Sequence, residues 1–405
     1  MKRNIYFLIT ISTLVFWSSC RKDFEFDLSS GNLEFLKDTV YLDTVFSNIG
    51  SSTYNLKVYN NSNNDIVIPN VRLSQGQNSM YRLNVDGQTG SGIISGKEFE
   101  NVEILAKDSM FIFIETTIDI QTLVSSETQF LYTDAIEFDT GSNLQKVELV
   151  TLVKDAVFIY PQRFLNSEGD YITETLTFDV DGDGMDDETS IEGRFLDDSE
   201  LTFTNDKPYV VYGYAAVNDG KTLTIEAGAR VHFHSNSGLL VTSGGSINAQ
   251  GTLSVDQELM EGEIIFEGDR LEPGFSDVPG QWQTIWLFNG STNNIFDHVT
   301  IKNSTVGLLS EGNQDDVLKL NITNTQIYNS SNFGILGRAT SINAENLVIN
   351  NSGQSSFAGT FGGRYNVVHS TLANYWNNSF RQFPSVLLNN YLVDFFGNIW
   401  GVVGW

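Results

Sequence analysis

Apolar and polar residues alternate with a period of two along much of residues 33–156. The alternation is clearest at Tyr54–Tyr59, 65–68 and 110–114. It places successive side chains on opposite faces, as expected for half-buried strands. Turn clusters rich in Asn and Ser, at 48–52 and 60–64, separate the strands at the short spacing typical of an all-β sandwich. We find no helical periodicity of convincing length.

The C-terminal half carries an internal repeat. From about Thr222 onward, short apolar strands are closed by Gly and Asn, and four Asn positions align: Asn303, Asn329, Asn351 and Asn374, spaced 26, 22 and 23 residues apart. Side chains one coil apart stack on one another, so aligned amides can form a hydrogen-bonded ladder while Ile and Leu fill the interior. The spacing predicts one coil per repeat.

Two resemblances follow from these patterns. The repeat at 206–405 resembles the right-handed parallel β-helix of the pectin-lyase type, a fold that hosts enzymes, adhesins and structural shafts. The strand order at 33–156 resembles the immunoglobulin-like domains of the Hydin and abnormal-spindle type, which implies a spacer or adhesion module without catalytic residues. Residues 157–205 would connect the two. The predicted fold class is all-β, an Ig-like sandwich followed by a parallel β-helix.

The N-terminus has the layout of a secretory signal. Lys2 and Arg3 precede a 13-residue apolar run, and small residues lead to the single Cys of the chain, Cys20. Residues 1–19 resemble a bacterial lipoprotein signal peptide, with Cys20 as the lipidated residue and 20–32 as a tether. An ordinary signal peptide is the alternative. The charged stretch 21–25 resembles the export signal of Bacteroidetes-type lipoproteins and implies the outward face of the outer membrane; a solvated tether is its alternative.

Charge narrows the choice of partner. Asp and Glu number 50 against 23 Lys and Arg, which gives a formal charge of −27. Such an excess disfavours unspecific attraction to nucleic acid or anionic lipid.

An acidic run in the connecting region has the ligand spacing of a calcium loop. Counted from Asp179, carboxylates fall at positions 1, 3, 5 and 9, a Gly at position 6 permits the tight turn, and a backbone carbonyl falls at position 7. Position 12 is Ser190 instead of the expected Glu, which leaves Glu188 or Glu192 as substitutes. We expect a weak structural Ca²⁺ site; a solvated turn is the alternative. The predicted ligands are Asp179, Asp181, Asp183, Met185 and Asp187.

Catalytic signals are sparse. Cleavage of a polysaccharide needs an acid and a base on adjacent coils, and the nearest carboxylate pair with that spacing is Glu272 with Asp297, 25 residues apart. A solvated loop or a local ion pair is the alternative for both. We therefore treat enzymatic activity as uncertain and the less favoured option.

Aromatic residues give the better functional signal. If Ile285 and Leu287 face inward, alternation turns Trp286 and Trp282 outward, where they could stack on sugar rings. Tyr375 and Trp376, beside two Asn residues, could extend that strip. The alternative is that these rings pack beneath a loop or against the preceding domain.

Three functions therefore stand in order. The leading expectation is a lipid-anchored cell-surface module that binds polysaccharide or a surface partner without catalysis. The second is a polysaccharide lyase or glycoside hydrolase, and the third is a structural shaft or assembly component. The whole chain also resembles a group of surface lipoproteins with a β-helix, and that resemblance implies no activity.

Overall fold

The computed structural model describes residues 25–91, 94–123, 128–312, 318–389, 393–396 and 399–403, with the backbone alone described for the last two segments. The predicted signal peptide and Cys20 lie outside these residues. The chain divides into two compact units, the first formed by Met1–Leu123 with Phe130–Val153 and the second by Val124–Gln129 with Lys154–Trp405. The fold is all-β, as predicted.

The first unit contains ten strands. They are β1 (Asp27–Leu28), β2 (Glu34–Phe35), β3 (Thr39–Phe46), β4 (Tyr54–Tyr59), β5 (Ile66–Leu73), β6 (Tyr81–Val85), β7 (Glu98–Ile104), β8 (Ser109–Thr116), β9 (Gln129–Phe138) and β10 (Gln145–Lys154).

These strands form two sheets whose buried faces meet. One has the order β1-β5-β9-β10-β3, with β7 also paired to β5, and the other has the order β2-β4-β8-β6. Alternation explains the packing, since Met110, Ile112 and Ile114 of β8 are buried while the residues between them are exposed. Tyr81 of β6 ties the sheets together, because its hydroxyl lies 2.9 Å from Thr151 Oγ1 of β10.

The second unit contains 24 strands, nearly all short. They are β11 (Val157–Ile159), β12 (Arg163–Leu165), β13 (Tyr171–Thr173), β14 (Thr175–Phe178), β15 (Asp187–Phe195), β16 (Thr202–Phe203), β17 (Tyr209–Val211), β18 (Tyr214–Val217), β19 (Thr222–Ile225), β20 (Arg230–Phe233), β21 (Gly238–Val241), β22 (Ser246–Gln250), β23 (Ile264–Gly268), β24 (Ile285–Leu287), β25 (Asn294–Asp297), β26 (Val299–Lys302), β27 (Val306–Glu311), β28 (Leu320–Ser330), β29 (Phe333–Ser352), β30 (Phe357–Val368), β31 (Ser370–Ala373), β32 (Val386–Asn389), β33 (Val393–Phe396) and β34 (Ile399–Val403).

Parallel pairing organises this unit. From β17 to β23, each strand pairs with the strand three further along the chain: β17 with β20, β20 with β23, and β23 with β26. The register aligns apolar residues from successive strands, so Val231, Phe266 and Ile301 lie side by side and are fully buried. Stacked rows of this kind fill one continuous interior core.

The Asn repeat marks turns between stacked strands. Asn303, Asn329 and Asn351 all adopt a left-handed backbone, with φ of 63°, 56° and 60°, which Asn tolerates better than most residues. The expected ladder joins two of the four positions, since Asn351 Nδ2 donates to Asn329 Oδ1 at 2.8 Å. Asn374 donates instead to the carbonyl of Ser352.

Strands of the predicted connector, residues 157–205, belong to the second unit's large sheet. β11 pairs in parallel with β17, and the end of β15 pairs with β18. The antiparallel hairpin of β14 and β15 places Leu176 and Phe178 against Ala216 and Leu240 of the stacked strands.

Helical structure is minor throughout the described residues. It is confined to five single-turn 3₁₀ helices at Gly76–Asn78, Ile120–Thr122, Gly141–Asn143, Asp198–Glu200 and Pro273–Phe275. Across the described ranges, no helix has the length and apolar character that crossing a bilayer requires.

Candidate functional site

The acidic loop connects the two strands of the β14–β15 hairpin. Asp179 organises it: one carboxylate oxygen accepts the N–H of Gly182 at 2.6 Å and the other accepts the N–H of Gly184 at 2.9 Å. Gly182 and Gly184 have φ of 83° and 86°, a conformation that favours glycine. The loop therefore wraps around the first carboxylate of the predicted ligand series.

Three of the predicted ligands converge. Carboxylate oxygens of Asp179, Asp181 and Asp187 all lie within 4.8 Å of one another. Asp183 is not in this group, and its Oδ1 accepts the N–H of Met185 at 2.8 Å. A set of hard, anionic oxygen donors in a glycine-containing loop fits Ca²⁺ in ligand chemistry.

The hairpin that carries this loop is anchored by apolar contacts. Leu176 and Phe178 lie in one buried cluster with Ala216 and Leu240. The ring of Phe178 meets Phe288 edge-on, with 5.2 Å between ring centroids. Order in the acidic loop is therefore coupled to order in strands that cover the outside of the stacked sheet.

A second group of polar residues lies along adjacent parallel strands. His232 pairs in register with Glu267, and Lys302 pairs with Tyr328. Lys302 Nζ lies 2.6 Å from Glu267 Oε2, and His232 Nδ1 lies 3.7 Å from Glu267 Oε1. The side chains of Glu267 and Lys302 keep 21% and 17% of their surface exposed. We call these four residues the charged row.

Ion pairing fixes the protonation states in the charged row. Burial alone would raise the pKa of Glu267, but the charges of His232 and Lys302 and the Lys302 hydrogen bond outweigh it, so this pKa lies below its usual range. Burial alone would lower the pKa of Lys302, but Glu267 holds it above its usual range. Burial lowers the pKa of His232. Glu267 is thus a stable carboxylate and Lys302 a stable ammonium.

The sequence analysis missed the charged row because two long segments interrupt the repeat. Residues 251–263 separate β22 from β23, and residues 269–284 separate β23 from β24. These segments stretch the spacing of Glu267 and Lys302 to 35 residues, outside the 22–26 window of the repeat. Aligning β23 with β26 by their apolar residues would have brought the two side chains together.

The two catalytic candidates are held in separate ion pairs. Glu272 precedes a 3₁₀ turn and pairs with Arg270 at 2.8 Å. Asp297 lies on β25, where it accepts hydrogen bonds from Thr323 and Asn324, both at 2.8 Å. Burial alone would raise the pKa of Asp297, but these hydrogen bonds and His298 lower it. Each carboxylate is therefore engaged by its own neighbours.

The expectation that Trp282 faces outward is wrong. Its side chain is fully buried, stacks on Phe233 at 4.3 Å and donates from Nε1 to the carbonyl of Lys302 at 2.9 Å. The alternation fails because β24 begins only at Ile285, so Trp282 belongs to a separate bridge with Ser304 and not to that strand.

The other aromatic candidates are more accessible. Trp286 is half-buried and donates from Nε1 to Glu311 Oε2 at 2.7 Å. Tyr375 is 65% exposed, and Trp376 is half-buried with its Nε1 donating to Ser379 at 3.0 Å. Tyr375 is thus the most accessible of the four proposed sugar contacts.

Comparisons with known proteins give no family. No protein-family model matches the chain, and no curated protein matches it. Among solved structures, the ASH/PapD-like domain 7 of human CEP192 is similar at 12% identity and a TM-score of 0.19, covering 34% of this chain and 94% of that one. A family 123 glycoside hydrolase from Clostridium perfringens, described for glycolipid glycan hydrolysis, is similar at 10% identity and a TM-score of 0.20, covering 32% of this chain and 30% of that one. The chain thus has an Ig-like structural neighbour, and neither similarity indicates an activity.

Proposed function

We propose that this chain is a lipid-anchored cell-surface protein that binds polysaccharide or a surface partner without catalysis. In this proposal Cys20 carries the lipid, the anchor holds the protein on the outer membrane of a Bacteroidetes-type cell, and the first unit is an Ig-like spacer. The second unit is a right-handed parallel β-helix with a structural Ca²⁺ site in its acidic loop.

The register of the second unit supports the β-helix. Strands pair in parallel with partners three positions further on, and rows of buried apolar residues continue from coil to coil. Left-handed Asn residues recur at the turns, at the intervals read from the sequence. A solenoid of this kind presents long faces suited to extended ligands.

The observation that carries a binding role over catalysis is the state of the charged row. A general base must accept a proton in the working pH range, and a general acid must release one there. Glu267 has a lowered pKa and is a weak base, while Lys302 has a raised pKa and keeps its proton. Neither is tuned for proton transfer near neutrality.

The acidic loop supports the calcium part of the proposal. Asp179, Asp181 and Asp187 would hold the ion, which would neutralise carboxylates gathered within 4.8 Å. The loop's own residues keep the hairpin closed, because Asp179 accepts two backbone N–H groups and Asp187 accepts that of Val180 at 3.1 Å.

Native affinity electrophoresis tests the proposal. The purified full-length protein, in detergent, would run through gels containing hydroxyethylcellulose, laminarin, α-mannan or polygalacturonate, with calcium and with chelator. We expect retardation in at least one gel. Tyr375→Ala should weaken it, whereas Tyr160→Ala, which removes a similarly exposed ring (61%), should not. Equal mobility in every gel would contradict polysaccharide binding.

A further inference from the structure

The outer face of the β2-β4-β8-β6 sheet carries two exposed aromatic rings. Phe111 and Phe113 lie two residues apart on β8 and therefore on the same face. They are 44% and 43% exposed, with their centroids 6.3 Å apart and their planes inclined by only 18°. Two adjacent, nearly coplanar rings on a flat sheet form a stacking platform instead of a core contact.

Polar side chains border this platform on both neighbouring strands. Asn55 of β4 and Asn84 of β6 lie opposite Phe113, one on each side. Lys57 of β4 lies opposite Phe111, and its ammonium is 5.3 Å from the ring centroid. Carboxamides both donate and accept hydrogen bonds, which suits a ligand with hydroxyl groups around its edge.

A depression continues from one end of the platform. It has a volume of about 290 Å³, at the lower limit for small-molecule sites, and Phe113 and Asn84 contribute to its wall. Arg82 and Glu115 also line it and partner each other at 3.8 Å, so the depression has no net charge from that pair.

We propose that this face is a second glycan-binding site, which takes a neutral polysaccharide through ring stacking on Phe111 and Phe113. A pyranose has an apolar C–H face that covers an aromatic ring and a rim of hydroxyls that bonds to amides. A protein partner is less suited, because the apolar strip is one strand wide and amides border it. Neutral glycans are favoured since the rim pairs its own charges and the chain carries −27 overall.

The ligand class rests on the proposed function, and the test separates the two. Full-length wild type, the double variant Phe111→Ala/Phe113→Ala, and Tyr375→Ala would be compared in the same four gels. Tyr41→Ala is the matched control, because Tyr41 is 65% exposed on the other sheet of the first unit. All changes are at exposed positions, and circular dichroism would confirm that each variant is folded.

We expect the double variant to raise the apparent dissociation constant for at least one neutral polysaccharide about tenfold or more, with Tyr41→Ala unchanged. Retardation that the double variant retains would overturn this second site and leave the proposed function standing. Retardation confined to polygalacturonate would overturn the neutral ligand. The absence of retardation in any gel would overturn both.

Discussion

Replacing Trp282 by Ala separates a core role from a sugar-binding role. The indole is fully buried, stacks on Phe233 and donates to the carbonyl of Lys302. A buried Trp withdraws about 150–250 Å² from water, worth roughly 4–6 kcal/mol at about 25 cal/mol per Å². Truncation to Ala ordinarily costs about 3–5 kcal/mol, and the lost hydrogen bond adds about 1 kcal/mol. We therefore expect a loss of about 4–6 kcal/mol in the free energy of unfolding.

Urea unfolding followed by circular dichroism measures this loss. A chain of two units need not unfold in one step, so the shift should appear in the transition of the second unit. Trp286→Ala is the control, because Trp286 is half-buried and should cost about 2 kcal/mol or less. The reasoning would be refuted if Trp282→Ala unfolded within about 1 kcal/mol of wild type while polysaccharide binding was lost, since that is the behaviour of an exposed sugar contact.

Three further predictions concern charge. Added Ca²⁺ should raise the melting temperature of wild type in calorimetry but not that of Asp179→Asn/Asp181→Asn, and an equal rise in both would exclude the acidic loop as the site. Glu267→Gln should destabilise the fold by about 3 kcal/mol at pH 7, because it leaves the Lys302 ammonium without its partner. The lowered pKa of Glu267 makes this contribution complete above the unfolded-state pKa of about 4.3 and lost as pH falls through the folded value. Unfolding at a series of pH values would show it, and a Glu267→Gln profile that matches wild type would contradict it. Lys319 is buried and donates to the carbonyls of Phe288 and Glu311, and burial lowers its pKa to about 7. An unfolded Lys holds its proton to about pH 10.4, so stability should rise with pH between about 7 and 10 in wild type. That rise should be absent in Lys319→Met, and a rise of equal size in the variant would assign it to another group.

Local patterns made the strands and the turns predictable. The alternation at Met110, Ile112 and Ile114 needs only the strand period and one buried face. The Asn329–Asn351 step was likewise readable, because a left-handed turn residue and a stacked amide both favour Asn at a constant interval. The spacing of Asp179, Asp181 and Asp187 was enough to predict their convergence, because a tight loop brings ligands together without help from the rest of the fold.

Features that depend on register could not be predicted from the sequence in the same way. The burial of Trp282 follows from a break before β24, which apolar alternation alone does not reveal. The charged row depends on which strands become neighbours after two long insertions. The Phe111 and Phe113 platform was hidden because the same alternation that predicts β8 does not tell which polar residues of β4 and β6 will border it.

Product analysis would test the central claim of binding without catalysis most directly. The full-length protein would be incubated with calcium and with the polysaccharide that retards it most, and size-exclusion chromatography with a reducing-end assay would follow the polymer. We predict an unchanged polymer length distribution and no new reducing ends after prolonged incubation at pH 5 to 9. Shortened chains that depend on Glu267 or Lys302 would contradict the claim and identify the charged row as a catalytic site.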